Sequence, residues 1–188
     1  MKIILASSSP RRIELLKNLN LNFDVVPSDF KEEINLNDPI ELVKSFAYNK
    51  ALDVKEKVNN EALIIAADTI VYKDGRVLGK PSDEEDALKM LKFLSGDRHE
   101  VYTGVCVMYQ SECIVDYSCT YVYFKELSDL QIKWYIQTNE PFGKAGAYAI
   151  QGFGGLFVEK IDGCYFNVVG LPLSKLYDII NRMGINLF

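Results

Sequence analysis

Residues 7–12, SSSPRR, combine hydroxyl and guanidinium groups in a pattern that suits an anion. They lie between KIILA, which predicts a short buried strand, and IELLKNL, which has the apolar spacing of an amphipathic helix. Ser9 is predicted as the N-cap and Pro10 as the first helical residue. Arg11 and Arg12 then lie in the first turn, where each cation opposes the helix dipole at a cost of roughly 0.3–1 kcal/mol. A phosphate bound by the helix N–H groups and the guanidiniums would explain this placement. The alternative is that both arginines point into water and Ser9 only caps the helix.

Asp68 is the second candidate for chemistry, because it interrupts the strongly apolar stretch ALIIAADTIVY. Burying an unpaired carboxylate is expensive, so Asp68 must be paired, protonated, bound to a metal or placed at an exposed strand end. The functional interpretation is a general base or a metal ligand. The alternative is a carboxylate that is hydrogen-bonded to the backbone of a turn.

Further polar residues near the predicted ends of elements could join such a site: Glu33, Lys50, Lys80 and Lys144. Taken singly, each is more often a solvated surface charge. The segment GKAGAYAIQG, residues 143–152, is more informative, because its small residues and its glutamine suit close approach of the backbone to a flat ligand. His99 is the only histidine, and it is expected to be structural, because a single histidine cannot build a histidine-based metal site. The sequence has neither a G-x-S-x-G motif nor a cysteine with a matching histidine.

Alternating strand and helix patterns in the first half must position these residues. Strands are predicted over 2–6, 22–26 and 62–72, and helices over 10–18, about 39–57 and within 82–96. Asp38 is the predicted N-cap of the second helix. Ser82 and Glu85 form a predicted capping box for the third, which ends at Gly96. KDGR, after the strand that holds Asp68, predicts a hairpin turn.

The second half has a different character. Two long antiparallel strands are predicted over 99–110 and 112–124, followed by a capped helix over 127–138 and a glycine-rich stretch over 143–155. A hairpin is predicted around Asp162-Gly163, and a last helix over 172–183. These patterns predict a mixed α/β fold whose twisted, extended and largely antiparallel sheet is flanked by helices, rather than a doubly wound fold.

Composition limits the class of protein. The 188 residues suit one domain, with 48% hydrophobic and 25% charged residues as in ordinary globular proteins. The net charge of −5 argues against binding to nucleic acid polymers or anionic membranes. The four cysteines show no metal-binding spacing and are expected to be reduced, half-buried strand residues. With no signal peptide and no apolar run of membrane-spanning length, a cytoplasmic location is expected.

The order of several motifs resembles the Maf family, a septum-formation-inhibitor-like group of nucleoside triphosphate pyrophosphatases. These motifs are LASSSPRR, EE at 32–33, NKA, AADTIV, GKP, LSG, YTGV, NEPFGKAGAYAIQG and NVVGLP. The resemblance extends from Lys2 to the last helix, so it implies a single domain over residues 1–188, with two lobes and a central cleft. It departs in one place, since Ser8 stands where relatives often have glycine or asparagine.

The resemblance implies a cytoplasmic, homodimeric enzyme that requires a divalent cation, Mg²⁺ or Mn²⁺. Such an enzyme cleaves a nucleoside triphosphate to the monophosphate and pyrophosphate. Asp68 matches the catalytic carboxylate, and Asp68 with Glu33 would ligate the metal. Positions tied to a preference for dTTP and UTP, or to the pocket in general, match Ser8, Arg11, Arg12, Lys50, Thr69, Lys80 and Gln151.

A different class of function uses the same pocket. In this alternative, the protein is a nucleotide-binding regulator of septum formation or cell division that acts through a protein partner. A pure binder has no use for a carboxylate beside a polyanion, because the two repel each other unless a metal intervenes. Asp68 therefore favours the enzyme, whose substrates would include dTTP, UTP and modified pyrimidine nucleotides.

Overall fold

The structure is a computed structural model that describes residues 1–34, 38–58 and 61–187. In chain order its elements are β1 (Lys2–Leu5), α1 (Pro10–Lys17), β2 (Asp24–Val25), α2 (Pro39–Lys57), β3 (Ala62–Lys73), β4 (Arg76–Leu78), α3 (Glu84–Leu94), β5 (Arg98–Tyr109), β6 (Glu112–Phe124), α4 (Asp129–Gln137), β7 (Val158–Asp162), α5 (Tyr165–Val169) and α6 (Leu173–Arg182). Short 3₁₀ helices cover Ala145–Ala147 and Phe153–Phe157.

The strands form a seven-stranded mixed sheet in the order β2-β1-β3-β5-β6-β7, with β4 paired to β3. Strand β1 is parallel to both β2 and β3, whereas the β3/β4 and β6/β7 pairs are antiparallel. Neighbouring strands β5 and β6 are joined by only two residues, a connection that requires an antiparallel pair. The predicted mixed α/β fold with a largely antiparallel sheet flanked by helices is therefore confirmed.

The chain divides into two compact units, each made of separate segments. Unit 1 comprises Met1–Asp68, Thr103–Ser118 and Gly170–Phe188, and unit 2 comprises Thr69–Tyr102 and Cys119–Val169. A core of unit 1 packs α2 against β1, β3 and β5, with members that include Ile4, Ala47, Ala51, Ile64 and Met108. The core of unit 2 includes Leu91, Val122, Phe124, Tyr135 and Phe157.

Several sequence predictions agree closely with these elements. Helix α2 has the predicted bounds, and the Asp38 side chain accepts a hydrogen bond from Ile40 N. The KDGR turn joins β3 and β4, with Lys73 opposite Arg76. Helix α3 ends at Leu94, and Gly96 follows it with a φ of +68°. Strand β2 is shorter than predicted, with only two residues.

The predicted capping box of Ser82 and Glu85 is wrong by one residue. Helix α3 begins at Glu84, and its N-cap is Asp83, whose side chain accepts a hydrogen bond from Asp86 N. The Asp86 carboxylate in turn accepts from Ser82 N at 2.9 Å. Asp and Ser are both favoured N-caps, so the local sequence alone could not choose between Asp83 and Ser82.

The predicted hairpin around Asp162-Gly163 is also wrong. Beyond Gly163 the chain enters α5 instead of a returning strand. The Thr120 hydroxyl holds this change of direction, because it accepts from Cys164 N at 3.0 Å and donates to Cys164 O at 3.1 Å. The buried Asn167 amide also donates to Val101 O at 2.9 Å. These contacts come from residues distant in the sequence, so a local turn signal could not predict them.

All four cysteines are free, as predicted. Their environments differ from the expected half-buried strands, because Cys106 is buried, Cys113 is exposed and Cys164 lies between β7 and α5. In the part of the chain that the structure describes, no helix has the length and apolar character needed to cross a bilayer.

Candidate active site

The start of α1 is anchored through Arg12 and the serines before it. Ser9 occupies the N-cap position and Pro10 the first helical position, as predicted, but the Ser9 side chain makes no capping hydrogen bond. Instead Ser9 N donates to Ser7 Oγ at 3.2 Å. Arg12 donates from Nε to Gly170 O at 2.7 Å and from Nη1 to Ser7 Oγ at 3.4 Å. The alternative in which both arginines point into water is therefore wrong for Arg12.

A buried carboxylate, a lysine and a second carboxylate lie together in unit 1. Asp68, only 3% exposed, accepts a hydrogen bond at Oδ1 from Lys50 Nζ. The same ammonium lies 2.5 Å from Glu32 Oε1. Strand β3 provides Asp68, helix α2 provides Lys50, and the segment after β2 provides Glu32. The fold thus brings three distant parts of the sequence to one point.

The second oxygen of Asp68 is the most informative atom of this cluster. Asp68 Oδ2 is buried and has no hydrogen-bond partner within the described residues. A buried carboxylate oxygen normally accepts at least one hydrogen bond. Oδ2 is therefore available to accept a proton from a water molecule or to bind a cation.

The electrostatics of the cluster balance burial against charge. Burial raises the pKa of Asp68, and Glu32 raises it further, whereas Lys50 and Arg12 oppose this rise. Burial of the guanidinium lowers the pKa of Arg12, while the charges of Asp68 and Glu32 oppose that decrease. Two cations and two carboxylates thus lie close together, and the burial of Asp68 strengthens the effect of the neighbouring charges on it.

The oxygen donors of this cluster fit a hard divalent cation. Asp68 Oδ2 and the Glu32 carboxylate are ligands that Mg²⁺ and Mn²⁺ accept, and such ions commonly take only one or two carboxylates, together with water and substrate phosphates. The Lys50 ammonium, which contacts both carboxylates, shows that a positive charge is favoured between them. Over residues 1–34, 38–58 and 61–187, no three His, Cys, Asp or Glu side chains lie together in a way that could hold a metal ion. A cation at this cluster would therefore need water or substrate phosphates as further ligands.

Glu33, the residue predicted as a metal ligand, is exposed, and no contact joins it to Asp68 or Lys50 among the described residues. The structure brings Glu32 to Lys50 instead. Of these two adjacent glutamates, only Glu32 contacts Lys50 among the described residues. The EE pair was the available signal, but the sequence could not distinguish its two members.

The remaining predicted site residues have varied environments. In unit 1, Ser8 is exposed and Arg11 is half-buried. In unit 2, Thr69 is half-buried, whereas Lys80 and Gln151 are exposed. The glycine before Lys80 contacts the GKAGAYAIQG segment, because Gly79 O accepts from Gly146 N at 3.1 Å.

Two other candidates, Lys144 and His99, contact other groups of unit 2. Lys144 donates to Phe142 O at 3.2 Å, two residues away. His99 is buried, and its Nε2 lies 2.8 Å from the hydroxyl of Tyr148. Burial and the charge of Lys73 lower the pKa of His99 to about 3, so the ring is neutral near pH 7. The prediction of a structural histidine agrees with this environment.

In this mixed α/β fold, a buried carboxylate lies beside a lysine and an arginine. The two cations could bind a polyanion and the carboxylate could bind a metal ion, as expected of an enzyme that acts on phosphate esters or anhydrides. Residues 2–183 match the family model described as Maf-like protein. The chain belongs to the Maf-like protein family.

Curated relatives are similar over nearly the whole chain. A dTTP/UTP pyrophosphatase of Caldicellulosiruptor saccharolyticus is 52% identical over 99% of this chain and 96% of its own. A protein with the same name from Clostridium tetani is 52% identical over 100% of both chains. Another from Clostridium botulinum is 54% identical over 97% of this chain and 99% of its own. Among solved structures, the Staphylococcus aureus Ham1 protein matches 66% of this chain and 72% of its own, with a TM-score of 0.46 and 17% identity.

Proposed function

We propose that this protein hydrolyses pyrimidine nucleoside triphosphates, dTTP and UTP above all, to the monophosphate and pyrophosphate. The observation that supports it most directly is Asp68 Oδ2, a buried carboxylate oxygen with no described partner beside two cations. Relatives named dTTP/UTP pyrophosphatase, 52–54% identical over nearly the full chain, support the choice of reaction and substrate. A regulator that only binds nucleotide would gain nothing from this carboxylate.

In the proposed reaction, the oxygen of a water molecule attacks the α-phosphorus of the substrate. The bond from that phosphorus to the oxygen bridging to the β-phosphate breaks, and pyrophosphate leaves with the bonding electron pair. Asp68 Oδ2 accepts the proton that the water loses, while the Lys50 ammonium continues to donate to Oδ1. The positive charge of Arg12 and Lys50 favours the triphosphate and the negative charge that develops on the leaving group.

We propose a divalent cation, Mg²⁺ or Mn²⁺, as the cofactor of this reaction. Asp68 and Glu32 would hold it, with Glu33, the residue that the family resemblance suggests, as the other candidate. When bound, such an ion neutralises phosphate charge and lowers the pKa of a coordinated water. The ion would add its charge to that of the Lys50 ammonium and further reduce the repulsion between the two carboxylates.

The remaining assignments follow the family resemblance. Ser8, Arg12, Lys50 and Lys80 are proposed to bind the phosphates, and Arg11, Thr69 and Gln151 to select the base. A glutamine amide can donate to a uracil carbonyl and accept from N3–H, which suits both dTTP and UTP. We also propose that residues 1–188 act as a single catalytic domain, in the cytoplasm and as a homodimer. Sedimentation equilibrium would test the dimer by giving twice the chain mass of 21.3 kDa.

The test is a panel of nucleoside triphosphates incubated with Mg²⁺ or Mn²⁺, with pyrophosphate resolved from phosphate. We expect efficient cleavage of dTTP and UTP, slower cleavage of CTP and poor cleavage of 7-methyl-GTP, with pyrophosphate as the product. Release of phosphate alone would refute the reaction. A preference for 7-methyl-GTP would refute the substrate assignment.

A further inference from the structure

Gln151 lies in a turn whose two ends are both held by one pair of side chains, the buried Tyr135 and the half-buried Glu140. Ala149–Gly152 form this turn, closed by a hydrogen bond from Gly152 N to Ala149 O at 3.2 Å. The side chain of Gln151 is exposed and has no hydrogen-bond partner among the described residues. The backbone of the turn therefore sets the position of this residue and the direction of its Cα–Cβ bond.

Tyr135 of helix α4 holds the start of the turn. Its hydroxyl accepts a hydrogen bond from Ala149 N at 3.1 Å and donates to Glu140 Oε1 at 2.8 Å. Tyr135 is completely buried, and burial together with the Glu140 carboxylate raises the pKa of its hydroxyl. The hydroxyl therefore stays protonated and keeps both contacts over the working pH range.

Glu140, which follows α4, holds the end of the turn. Its Oε2 accepts from Phe153 N at 3.0 Å, and its Oε1 accepts from Gly154 N at 2.9 Å. Together with the bond from the Tyr135 hydroxyl, the Glu140 carboxylate accepts three hydrogen bonds. Accepting all three suits an ionised carboxylate, which has two acceptor oxygens and no O–H group. The ring of Phe153 also packs edge-on against Trp134 of α4, with centroids 5.5 Å apart.

The glycines beside Gln151 match this arrangement. A Cβ on Gly152 would lie 2.1 Å from Glu140 Oε2, and a Cβ on Gly154 would lie 2.7 Å from the Tyr135 hydroxyl. Both distances are shorter than the contacts that Cβ atoms make in real structures, so a side chain at either position would force the backbone or the two side chains to shift. The QGFGG sequence is thus the counterpart of Tyr135 and Glu140.

We propose that Glu140, together with Tyr135, is a positioning residue that determines the discrimination between pyrimidine bases by fixing the turn of Gln151. The proposal rests on the proposed function, in which Gln151 contacts the base. Uracil and cytosine present opposite donors and acceptors, and a glutamine amide that is free to flip could bind either. A turn held in one position restricts the ways in which this amide can reach the base, and so favours one of the two pyrimidines.

The experiment compares Glu140→Gln and Tyr135→Phe with the wild type and with the matched control Glu159→Gln, a substitution of an exposed glutamate in the same unit. The first variant places an amide N–H₂ group against backbone donors, and the second removes the hydroxyl that links Ala149 to Glu140. We expect the UTP-to-CTP ratio of kcat/KM to fall by about tenfold in Glu140→Gln and by about threefold in Tyr135→Phe. The loss should come from a higher KM for UTP, with kcat for UTP within about twofold of the wild type.

A purely structural role gives a different result, because partial unfolding lowers the apparent kcat and leaves both KM and the base ratio unchanged. Hydrogen exchange provides a readout that does not depend on activity. The amides of Phe153 and Gly154 should exchange faster in Glu140→Gln and that of Ala149 faster in Tyr135→Phe, with no change in Glu159→Gln. Wild-type exchange at these amides, or a wild-type base ratio in either variant, would overturn the proposal. A wild-type enzyme that releases no pyrophosphate would instead refute the proposed function, while the exchange result would still test the turn.

Discussion

The two carboxylate oxygens of Asp68 differ in their surroundings, and this difference defines the site at the scale of a residue. Oδ1 accepts from Lys50, whereas Oδ2 is buried without a described partner. The fold tolerates such an atom only because the charges of Lys50 and Arg12 lie close to it. An oxygen that is costly to bury and has no hydrogen-bond partner among the described residues is an expected feature of a functional site.

Replacement of Asp68 by asparagine should separate chemistry from folding. The amide keeps the shape of the side chain but cannot accept a proton from water, so we expect kcat to fall by about two to four orders of magnitude. Pyrophosphate release measures the rate, and circular dichroism melting measures folding. Asp178→Asn, a substitution of an exposed residue in α6, is the control and should retain full turnover. Turnover near the wild-type value in Asp68→Asn would remove Asp68 from the proposed reaction.

The raised pKa of Asp68 predicts a pH dependence of activity. Asp68 accepts a proton only when ionised, so kcat/KM should fall with decreasing pH at values above the ordinary aspartate range. Lys50 is the strongest influence that lowers the pKa of Asp68, so Lys50→Met should move this acidic limb to still higher pH. Lys44→Met, on the same helix but paired with Glu41, is the control and should leave the limb in place.

The raised pKa of Asp68 also determines how the stability of the protein changes with pH. A carboxyl group whose folded pKa lies above its unfolded value holds its proton more tightly in the folded chain, so its ionisation reduces stability as pH rises through the folded pKa. Asp68→Asn should therefore remove this decrease from the pH dependence of the free energy of unfolding.

The Lys50 variant tests the activity profile separately. If kcat/KM fell over the same pH range in Lys50→Met as in the wild type, Lys50 would not act on Asp68.

Among the helices, the hydrogen bonds that cap the first turn differ. Helix α4 has a complete capping box, in which Ser128 and Gln131 exchange hydrogen bonds. Helix α1 begins at Ser9 without a side-chain cap, and two arginines occupy its first turn. An N-cap without a side-chain hydrogen bond and added positive charge at the start of α1 are unfavourable for the helix alone and favourable for an anion.

Alanine substitutions at the two N-caps should show this difference. Ser128→Ala should lower the free energy of unfolding by about 1 kcal/mol, because it breaks the capping box. Ser9→Ala should lower it by only about 0.3 kcal/mol, because Ser9 makes no side-chain cap. Urea unfolding of both variants measures these values. Equal losses in the two variants would contradict the assignment of an uncapped start to α1.

At the scale of the whole molecule, the two units are interleaved along the chain. Unit 1 needs the segments that begin at Thr103 and Gly170, and unit 2 needs the segment that begins at Cys119. The unit 1 core includes Met108, and the unit 2 core includes Tyr135. Neither unit is therefore a contiguous piece of sequence that could be separated from the other.

This interleaving predicts that a fragment of residues 1–102 does not fold. It would lack the β5 residues that complete the core of unit 1 and all of Cys119–Val169 from unit 2. We expect neither a cooperative urea transition nor a dispersed amide NMR spectrum. A fragment of residues 1–186 is the control and should unfold cooperatively, because it retains every helix and strand. Cooperative unfolding of the shorter fragment would contradict the single domain that we propose.

The sequence by itself determined those features that depend on neighbouring residues. Asp38 and Pro39 define the start of α2, the KDGR turn defines the β3/β4 hairpin, and alternation defines β5 and β6. Each of these signals lies within a few residues of the structure it predicts. The motifs also indicated Arg12, Lys50 and Asp68 as site residues by family resemblance, although their roles stay predictions.

Which side chains from distant segments contact each other could be seen only in the folded structure. It selected Glu32 over Glu33 beside Lys50, placed the N-cap of α3 at Asp83, and led the chain after Gly163 into a helix. It also joined Tyr135 and Glu140 to the turn of Gln151, a contact that no spacing indicated. The physical reason is the same in each case. Which of several suitable donors or acceptors is used depends on distances between segments, and those distances exist only after the chain has folded.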